Sequence, residues 1–131
     1  MISKTIIRPA AAPAPVGPYN HAVRVGDLLF CSGQIPLDPK TGQLIEGGIR
    51  EQTRRVLENI RLILADQGLD FSHVVKSTVF MTQLADFAAM NEVYAELFKE
   101  AAPARSTVQV AALPRGAQVE IEVIAYYPPS A

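Results

Sequence analysis

The sequence predicts an α+β domain in which two helices lie on one face of a β-sheet. Apolar residues recur at helical spacing between residues 49 and 64, whereas residues 105–110 and 119–123 alternate with the two-residue period of a strand. The predicted order is two or three strands, a helix, a strand, a second helix and two final strands. A chain of 131 residues is long enough for one such domain and too short for two, so residues 1–131 are predicted to form a single domain.

The first third of the chain contains short strand patterns separated by turns. Residues 6–7 are predicted to begin an edge strand that the following proline-rich segment ends. Two further strands are predicted at residues 21–25 and 28–32, and Gly-Asp at 26–27 has the composition of a hairpin turn. The Asp-Pro-Lys-Thr-Gly segment at 38–42 is predicted to form a surface turn.

The middle of the chain carries both helices and a central strand. The clearest helical pattern covers residues 49–64, and Gly68 is placed to end this helix. Residues 73–81 are β-branched and apolar, which is typical of a central strand. A second helix is predicted to begin near Asp86, as its N-cap, and to end before Pro103. Its predicted apolar stripe, which has one polar member, consists of Phe87, Asn91, Tyr94 and Phe98.

The two final strands are predicted to pair as a hairpin around residues 113–116. That register would place Thr107 opposite Glu120. It would also place Arg105 opposite Glu122, so that the guanidinium and both carboxylates share one side of the sheet. An arginine binds a carboxylate through two parallel hydrogen bonds, and a nearby carboxylate can hold or deprotonate a water. The same residues are also consistent with a solvated polar face that holds a surface ion pair.

Composition gives little support to a nucleic-acid-binding function. The net charge is −1, the sequence pI is about 6.1, and no run of lysine or arginine occurs. A surface that follows phosphates needs a basic stripe, so no nucleic-acid partner is expected. Charged residues make up only 19% of the chain and hydrophobic residues 49%, which suggests that part of the surface is buried against copies of the same chain.

Membrane, disulfide and metal chemistry are not expected either. No stretch approaches the roughly 20 apolar residues of a membrane span, and the apolar run near the N-terminus is too short for a signal peptide. Cys31 is a single cysteine in the middle of a strand, where a buried, inert thiol is expected. His21 and His73 have no partners at ligand spacing, so no metal site is predicted. The expected location is the cytoplasm.

Several short motifs at fixed offsets resemble those of the reactive-intermediate deaminase family, also called the RidA, YjgF-like or enamine/imine deaminase family. The resemblance implies the mixed-sheet architecture named after bacterial chorismate mutase. It also implies a homotrimer with ligand clefts between subunits. The motifs are Gly17-Pro18-Tyr19, Ser32-Gly33-Gln34-Ile35-Pro36, Pro103-Ala104-Arg105-Ser106 with Val108, Ala111 and Leu113, and Val119-Glu120-Ile121.

The resemblance also implies roles for individual residues. Arg105 would bind the substrate carboxylate and Glu120 would position the attacking water, which makes these two the candidate catalytic residues. Tyr19 would cover the bound ligand, while Ser32 and Gly33 would line the cleft.

Three other polar residues lie in the segments that are predicted to form the same cleft. Asn91 lies on a hydrophobic stripe, so its amide needs a partner if it is buried, and that partner is either the ligand or the backbone. Thr107 stands where family members often have a cysteine whose backbone groups contact the ligand. Glu122 has no functional counterpart in the family and is left out of the predicted site.

The function that the resemblance implies is hydrolysis of reactive 2-imino acids and their 2-enamino tautomers to 2-oxo acids and ammonia. Such an enzyme is a 2-iminobutanoate/2-iminopropanoate deaminase and limits metabolite damage. Its substrates, including 2-aminoacrylate, would come from pyridoxal-phosphate enzymes that act on serine or threonine. Because the C=N carbon is already electrophilic, the reaction needs no metal and no cofactor.

Two other functions remain open at this point. The same cleft could belong to a non-catalytic sensor that binds small carboxylates. A ribonuclease or translation inhibitor is the third reading, and the lack of a basic stripe or of paired histidines counts against it.

Overall fold

A computed structural model describes residues 3–129, which form one mixed sheet of six strands with two helices. The strand order across the sheet is β1-β2-β3-β6-β4-β5, and all neighbours are antiparallel except β4 and β5, which are parallel. The elements are β1 (Lys4–Ile7), β2 (Ala22–Val25), β3 (Leu28–Gln34), α1 (Ile49–Asp66), β4 (Val74–Met81), α2 (Phe87–Leu97), β5 (Ala104–Gln109) and β6 (Val119–Tyr126). The predicted α+β class and element order are therefore confirmed.

Helix α1 forms where the periodicity predicts it. Its apolar stripe is buried against the sheet, and Val56, Leu57 and Ile60 are fully inaccessible. The chain leaves the helix at Gln67, and Gly68 then adopts a positive φ of 70°, a conformation that glycine adopts without steric cost. The predicted end of this helix is confirmed.

Helix α2 packs on a different face from the predicted one. Its buried side chains are Met90, Val93 and Tyr94, whereas Phe87 is 38% exposed and Asn91 is only partly buried. The predicted stripe is therefore wrong in its first two members. The cause is tertiary, because the helix turns Met90 and Val93 into the shared core and leaves the Phe87 side near Arg105.

The predicted hairpin between the last two strands is wrong. Strand β4 lies between β5 and β6, and it pairs with both. β4 takes this central place because it is the more apolar strand, with Val79 and Met81 fully buried, whereas β5 carries mostly exposed polar residues at the sheet edge. Residues 110–118 connect β5 to β6 across the end of β4 instead of forming a tight turn.

This strand order puts Arg105 and Glu120 on opposite faces of the sheet. Arg105 is level with Ser77 of β4, and Ser77 is level with Val123 of β6; residues in register on neighbouring strands point to the same face. Ser77 and Val123 are buried beneath the helices, so Arg105 leaves on the helix-covered face. Glu120 is three residues from Val123 in the same strand, so its side chain projects from the opposite face. The predicted placement of the guanidinium with both carboxylates is therefore wrong, and Thr107 does not lie opposite Glu120.

Strand β3 runs two residues beyond its predicted end through a β-bulge. Cys31 pairs with Val123 and Gln34 with Ile121, so Ser32 and Gly33 together oppose a single residue of β6. The bulge re-aims the backbone of these two residues beside the start of β6.

The helix-covered face holds the main core, and the opposite face keeps apolar side chains accessible. Cys31 is buried in the core, and desolvation raises the pKa of its thiol to about 12, in line with the predicted inert cysteine. On the other face Phe30 and Val108 are each 43% exposed. Within residues 3–129, no helix is long and apolar enough to cross a membrane.

Candidate functional site

The guanidinium of Arg105 lies against two aromatic rings of helix α2. Its central carbon is 4.7 Å from the ring centre of Tyr94 and 5.5 Å from that of Phe87, both within cation–π range. Among residues 3–129 no carboxylate pairs with it, and Glu122 projects from the other face. A surface ion pair between Arg105 and Glu122 is therefore excluded, and the guanidinium donors can serve a ligand.

Tyr94 is fixed at both ends of its side chain. Its hydroxyl oxygen is 2.6 Å from the hydroxyl oxygen of the fully buried Ser77, a hydrogen-bond distance. Its ring stacks on Phe98, with centres 4.4 Å apart. Burial raises the pKa of Tyr94, while the bond to Ser77 and the charge of Arg105 act in the opposite direction.

Two other predicted site residues share this side of the protein. Asn91 lies one helical turn from both Phe87 and Tyr94, and its partly buried amide makes no hydrogen bond to the described backbone. Thr107 follows Arg105 by two residues and therefore points to the same face. Its hydroxyl oxygen is buried and has no hydrogen-bond partner within residues 3–129. We call Phe87, Asn91, Tyr94, Arg105 and Thr107 the Arg105 cluster.

Glu120 lies against the bulge of strand β3. A Cβ placed on Gly33 would be 2.3 Å from a carboxylate oxygen of Glu120, so only glycine leaves room for the carboxylate in this position. Burial raises the pKa of Glu120, and the nearby negative charge of Glu122 raises it further. A carboxylate with a raised pKa is a better proton acceptor at neutral pH than an ordinary one.

Ser32 and Tyr19 belong to the same neighbourhood as Gly33. The Ser32 hydroxyl donates a 2.6 Å hydrogen bond to the carbonyl of Asn20, which fixes the residue that follows Tyr19. Tyr19 and Gly33 both line a small cavity of about 20 Å³, and the Tyr19 hydroxyl accepts a hydrogen bond from the backbone of Val16. We call Tyr19, Ser32, Gly33 and Glu120 the Glu120 cluster.

The structure thus divides the seven predicted site residues into two clusters instead of one cleft. The Arg105 cluster lies at the β5 edge beneath helix α2, and the Glu120 cluster lies around the β3 bulge. Strands β5 and β6, which carry Arg105 and Glu120, are separated by β4, and this corresponds to about 10 Å at ordinary strand spacing. One copy of the chain therefore does not join the arginine and the carboxylate.

Sequence reasoning missed that Tyr94, Phe87 and Ser77 surround Arg105. The periodicity of the sequence predicts the two aromatic residues only as members of an apolar stripe. A tyrosine on such a stripe does need a partner for its hydroxyl, and the buried serine of a central strand is a suitable one. Within residues 3–129 no three His, Cys, Asp or Glu side chains converge as metal ligands.

Known proteins match this chain over nearly its whole length. The family described as Endoribonuclease L-PSP matches residues 9–127. A RutC family protein of Pyrococcus abyssi is 50% identical over 125 residues, which cover 95% of this chain and 98% of that protein. The 2-iminobutanoate/2-iminopropanoate deaminase of Mus musculus is 46% identical over 128 residues, which cover 98% of this chain and 95% of that enzyme.

Solved structures show the same fold. A Yersinia pestis protein of unknown function from the conserved Rid protein family, YyfA, superposes with a TM-score of 0.92 at 46% identity, covering 95% of this chain and all of that one. TdcF of E. coli, solved with bound serine, superposes with a TM-score of 0.89 at 43% identity, covering 95% of this chain and 99% of that one.

Proposed function

Because the chain belongs to the reactive-intermediate deaminase family, described also as Endoribonuclease L-PSP, we propose that it hydrolyses 2-imino acids to 2-oxo acids and ammonia. The substrates would be 2-aminoacrylate with its tautomer 2-iminopropanoate, and 2-iminobutanoate. A relative with 46% identity carries the name of this activity, while the RutC relative carries only a family name. The activity of this chain is therefore our inference from its residues together with that relationship.

The observation that carries the proposal is that Arg105 is held by aromatic rings and has no carboxylate partner among the described residues. The planar donors of its guanidinium can therefore bind a ligand carboxylate with two parallel bonds. The TdcF relative was solved with serine, a small molecule that carries such a carboxylate. Fixing the carboxylate orients the adjacent C=N group and converts a collision into a reaction within one complex.

Glu120 supplies the proton acceptor that hydrolysis needs. The oxygen of a water forms a bond to the C=N carbon, the π electrons move to nitrogen, and Glu120 takes a proton from that water. Glu120 passes that proton to the nitrogen, which gives the neutral carbinolamine and restores the carboxylate. The carboxylate then takes the proton of the carbinolamine hydroxyl and delivers it to the amine nitrogen, the C–N bond breaks, and ammonia leaves as the oxygen forms the C=O bond of the 2-oxo acid. The raised pKa of Glu120 suits a group that both accepts and returns a proton.

The separation of the two clusters supports a site built from two chains. If Arg105 of one copy faces Glu120 of a neighbour, both groups can reach one ligand although a single chain keeps them on opposite faces. The apolar side chains exposed on the open face of the sheet, including Phe30 and Val108, would then be covered by neighbouring copies. We propose a homotrimer of single-domain chains, with one shared cleft at each interface.

The cellular role follows from the instability of the substrates. We propose that the protein acts in the cytoplasm beside pyridoxal-phosphate-dependent dehydratases of serine and threonine, which would release the imines. Removing these reactive species would limit metabolite damage. No residue role in this scheme requires a bound cofactor.

The family description favours ribonuclease activity as a second candidate, but the arrangement of charges does not support it. Arg50 and Arg54 of helix α1 are paired with Glu92 and Glu96 of helix α2, so these cations do not form a free basic stripe. Degradation of a labelled RNA by the purified protein, abolished in Arg105→Ala or Glu120→Gln, would support this second candidate.

One assay tests the proposed activity directly. A threonine dehydratase is run with and without the protein, and the rate of 2-oxobutanoate release is measured. A deaminase raises that rate in proportion to its concentration, whereas a sensor that only binds small carboxylates leaves it unchanged. Loss of the stimulation in Arg105→Ala, with the oligomer intact, would assign it to the proposed site.

A further inference from the structure

We propose that the rings of Tyr94 and Phe87 are positioning residues for Arg105, and that they take the place of the carboxylate that usually holds a partly buried arginine. The inference rests on the proposed function, since it explains how Arg105 is kept ready for the substrate carboxylate. Neither ring touches the reacting C=N group in this scheme.

The geometry of helix α2 brings the two rings to the same guanidinium. Phe87 and Tyr94 are seven residues apart, which is about two helical turns, so both lie on one side of the helix. The guanidinium carbon lies 4.7 Å from one ring centre and 5.5 Å from the other. A cation at these distances is attracted by the negative faces of both rings.

Ser77 ties this arrangement to the sheet. Ser77 is the residue of β4 that lies directly beside Arg105 in the parallel register, and it is fully buried. Its hydroxyl bonds to the Tyr94 hydroxyl, so the tip of the Tyr94 side chain is anchored to the same rung of the sheet that carries Arg105. A shift of helix α2 would therefore break the hydroxyl contact and move the ring away from the guanidinium together.

Contacts with aromatic rings leave the guanidinium of the arginine able to bind an anion. A protein carboxylate would occupy the in-plane N–H donors of Arg105 and neutralise its charge. The arginine at position 61 is used in that way, since Glu58 accepts hydrogen bonds from its guanidinium. Aromatic rings attract the cation and bring no carboxylate oxygen to its N–H donors. The pair of rings thus fixes Arg105 while keeping its donors for a planar carboxylate such as that of a 2-oxo or 2-imino acid.

The test uses variants that remove each ring and a ligand that is not consumed. Binding of 2-oxobutanoate is measured by calorimetry for wild type, Phe87→Leu, Tyr94→Leu, Tyr94→Phe and Arg105→Ala. Loss of one ring should weaken binding by about two- to thirtyfold, the range that cation–π contacts cover. In the dehydratase-coupled assay KM should rise while kcat changes little, because the interaction is present before and during the reaction. Tyr94→Phe keeps the ring but loses the bond to Ser77, so its affinity should lie between those of wild type and Tyr94→Leu.

Two controls separate positioning from general damage. Leu97→Ala alters another exposed apolar residue of the same helix, 39% exposed against 38% for Phe87, and should leave binding unchanged. The uncharged 2-oxobutanamide should bind equally to all variants, since it offers no carboxylate. If Tyr94→Leu fails to fold, the exposed Phe87 still provides the test.

The outcomes distinguish this inference from the proposed function. Weakened 2-oxobutanoate binding in Phe87→Leu and Tyr94→Leu, with a smaller loss in Tyr94→Phe, would support positioning by the rings. If Phe87→Leu binds as wild type while Arg105→Ala loses binding, ring positioning is wrong and the deaminase proposal stands. If Arg105→Ala also binds 2-oxobutanoate as wild type, both proposals are overturned.

Discussion

The side chains of Arg105 and Glu120 project from opposite faces of one sheet, and strand β4 lies between the two strands that carry them. Both residues have the surroundings of functional groups, since Arg105 is cradled by rings and Glu120 is partly desolvated beside a glycine. In the proposed function, a ligand that bridges them is bound by two copies of the chain.

Replacement of Arg105 should remove carboxylate binding. A hydrogen bond to a charged group contributes about 1.5–3 kcal/mol, so Arg105→Ala should weaken 2-oxobutanoate binding by about ten- to a hundredfold. Arg105→Lys keeps the charge but loses the planar fork, so its affinity for 2-oxobutanoate should lie between those of wild type and Arg105→Ala. Calorimetry measures this, with Arg61→Gln as an exposed arginine control. Wild-type hydrolysis of 2-iminobutanoate by Arg105→Ala would contradict carboxylate anchoring.

Replacement of Glu120 should impair turnover and spare binding. Glu120→Gln keeps the size of the side chain and removes its basicity, so the rate of imine hydrolysis should fall by about a hundredfold or more. Binding of 2-oxobutanoate should remain close to wild type, because no water is activated in that complex. Glu122→Gln is the matched control, as Glu122 lies on the same face and strand but is more exposed. Equal turnover in the two variants would remove the proposed role of Glu120.

Burial of Glu120 should make the folded protein less stable as pH rises. The pKa of Glu120 is raised in the folded state, so the folded chain binds its proton more tightly than the unfolded chain does. The contribution of Glu120 to the free energy of unfolding is fully present at pH values below its pKa in the unfolded chain. It is lost as the pH rises through its pKa in the folded chain. Glu120→Gln should therefore raise the unfolding midpoint at pH 7 relative to wild type, and the gain should shrink towards pH 4. A gain that is independent of pH would show that desolvation of the charge is not its cause.

A methyl group at Gly33 should displace the Glu120 carboxylate. The added Cβ would lie 2.3 Å from the carboxylate oxygen and 2.8 Å from the carboxyl carbon. Because the crowded atoms are at the end of a flexible side chain, Gly33→Ala should cost little stability but should lower turnover strongly. Chemical denaturation and the dehydratase-coupled assay measure the two effects. Gly48→Ala is the control, because the nearest atom to its Cβ is 3.7 Å away. Unchanged turnover in Gly33→Ala would show that the position of Glu120 is not critical.

Local patterns in the sequence predicted most of the elements. Helix α1 and strand β4 are confirmed because their periodicity depends on residues within one element, and the shared face of Glu120 and Glu122 follows from strand parity alone. The pairing of the last two strands could not be predicted in the same way. It depends on β4, about 40 residues before β6, taking the position between them, and inserting one strand changes every cross-strand neighbour.

The sequence predicts the residues of the candidate site one by one, but it does not predict their arrangement. Motifs identify Arg105 and Glu120 separately, but no motif predicts the face of the sheet from which each side chain projects. The contacts of Tyr94 with Arg105 and Ser77 join three separate elements, so they depend on how helix α2 is rotated against the sheet.

Complementation between two inactive variants tests the two-chain site most directly. Arg105→Ala and Glu120→Gln are unfolded together in equal amounts, refolded and assayed for 2-iminobutanoate hydrolysis. If each site of the proposed trimer takes Arg105 from one chain and Glu120 from its neighbour, randomly mixed trimers carry both groups intact in about one quarter of their sites, so about a quarter of the wild-type activity should return. If both groups act within one chain, no mixed site is complete. Activity no higher than that of the separate variants would contradict the shared site.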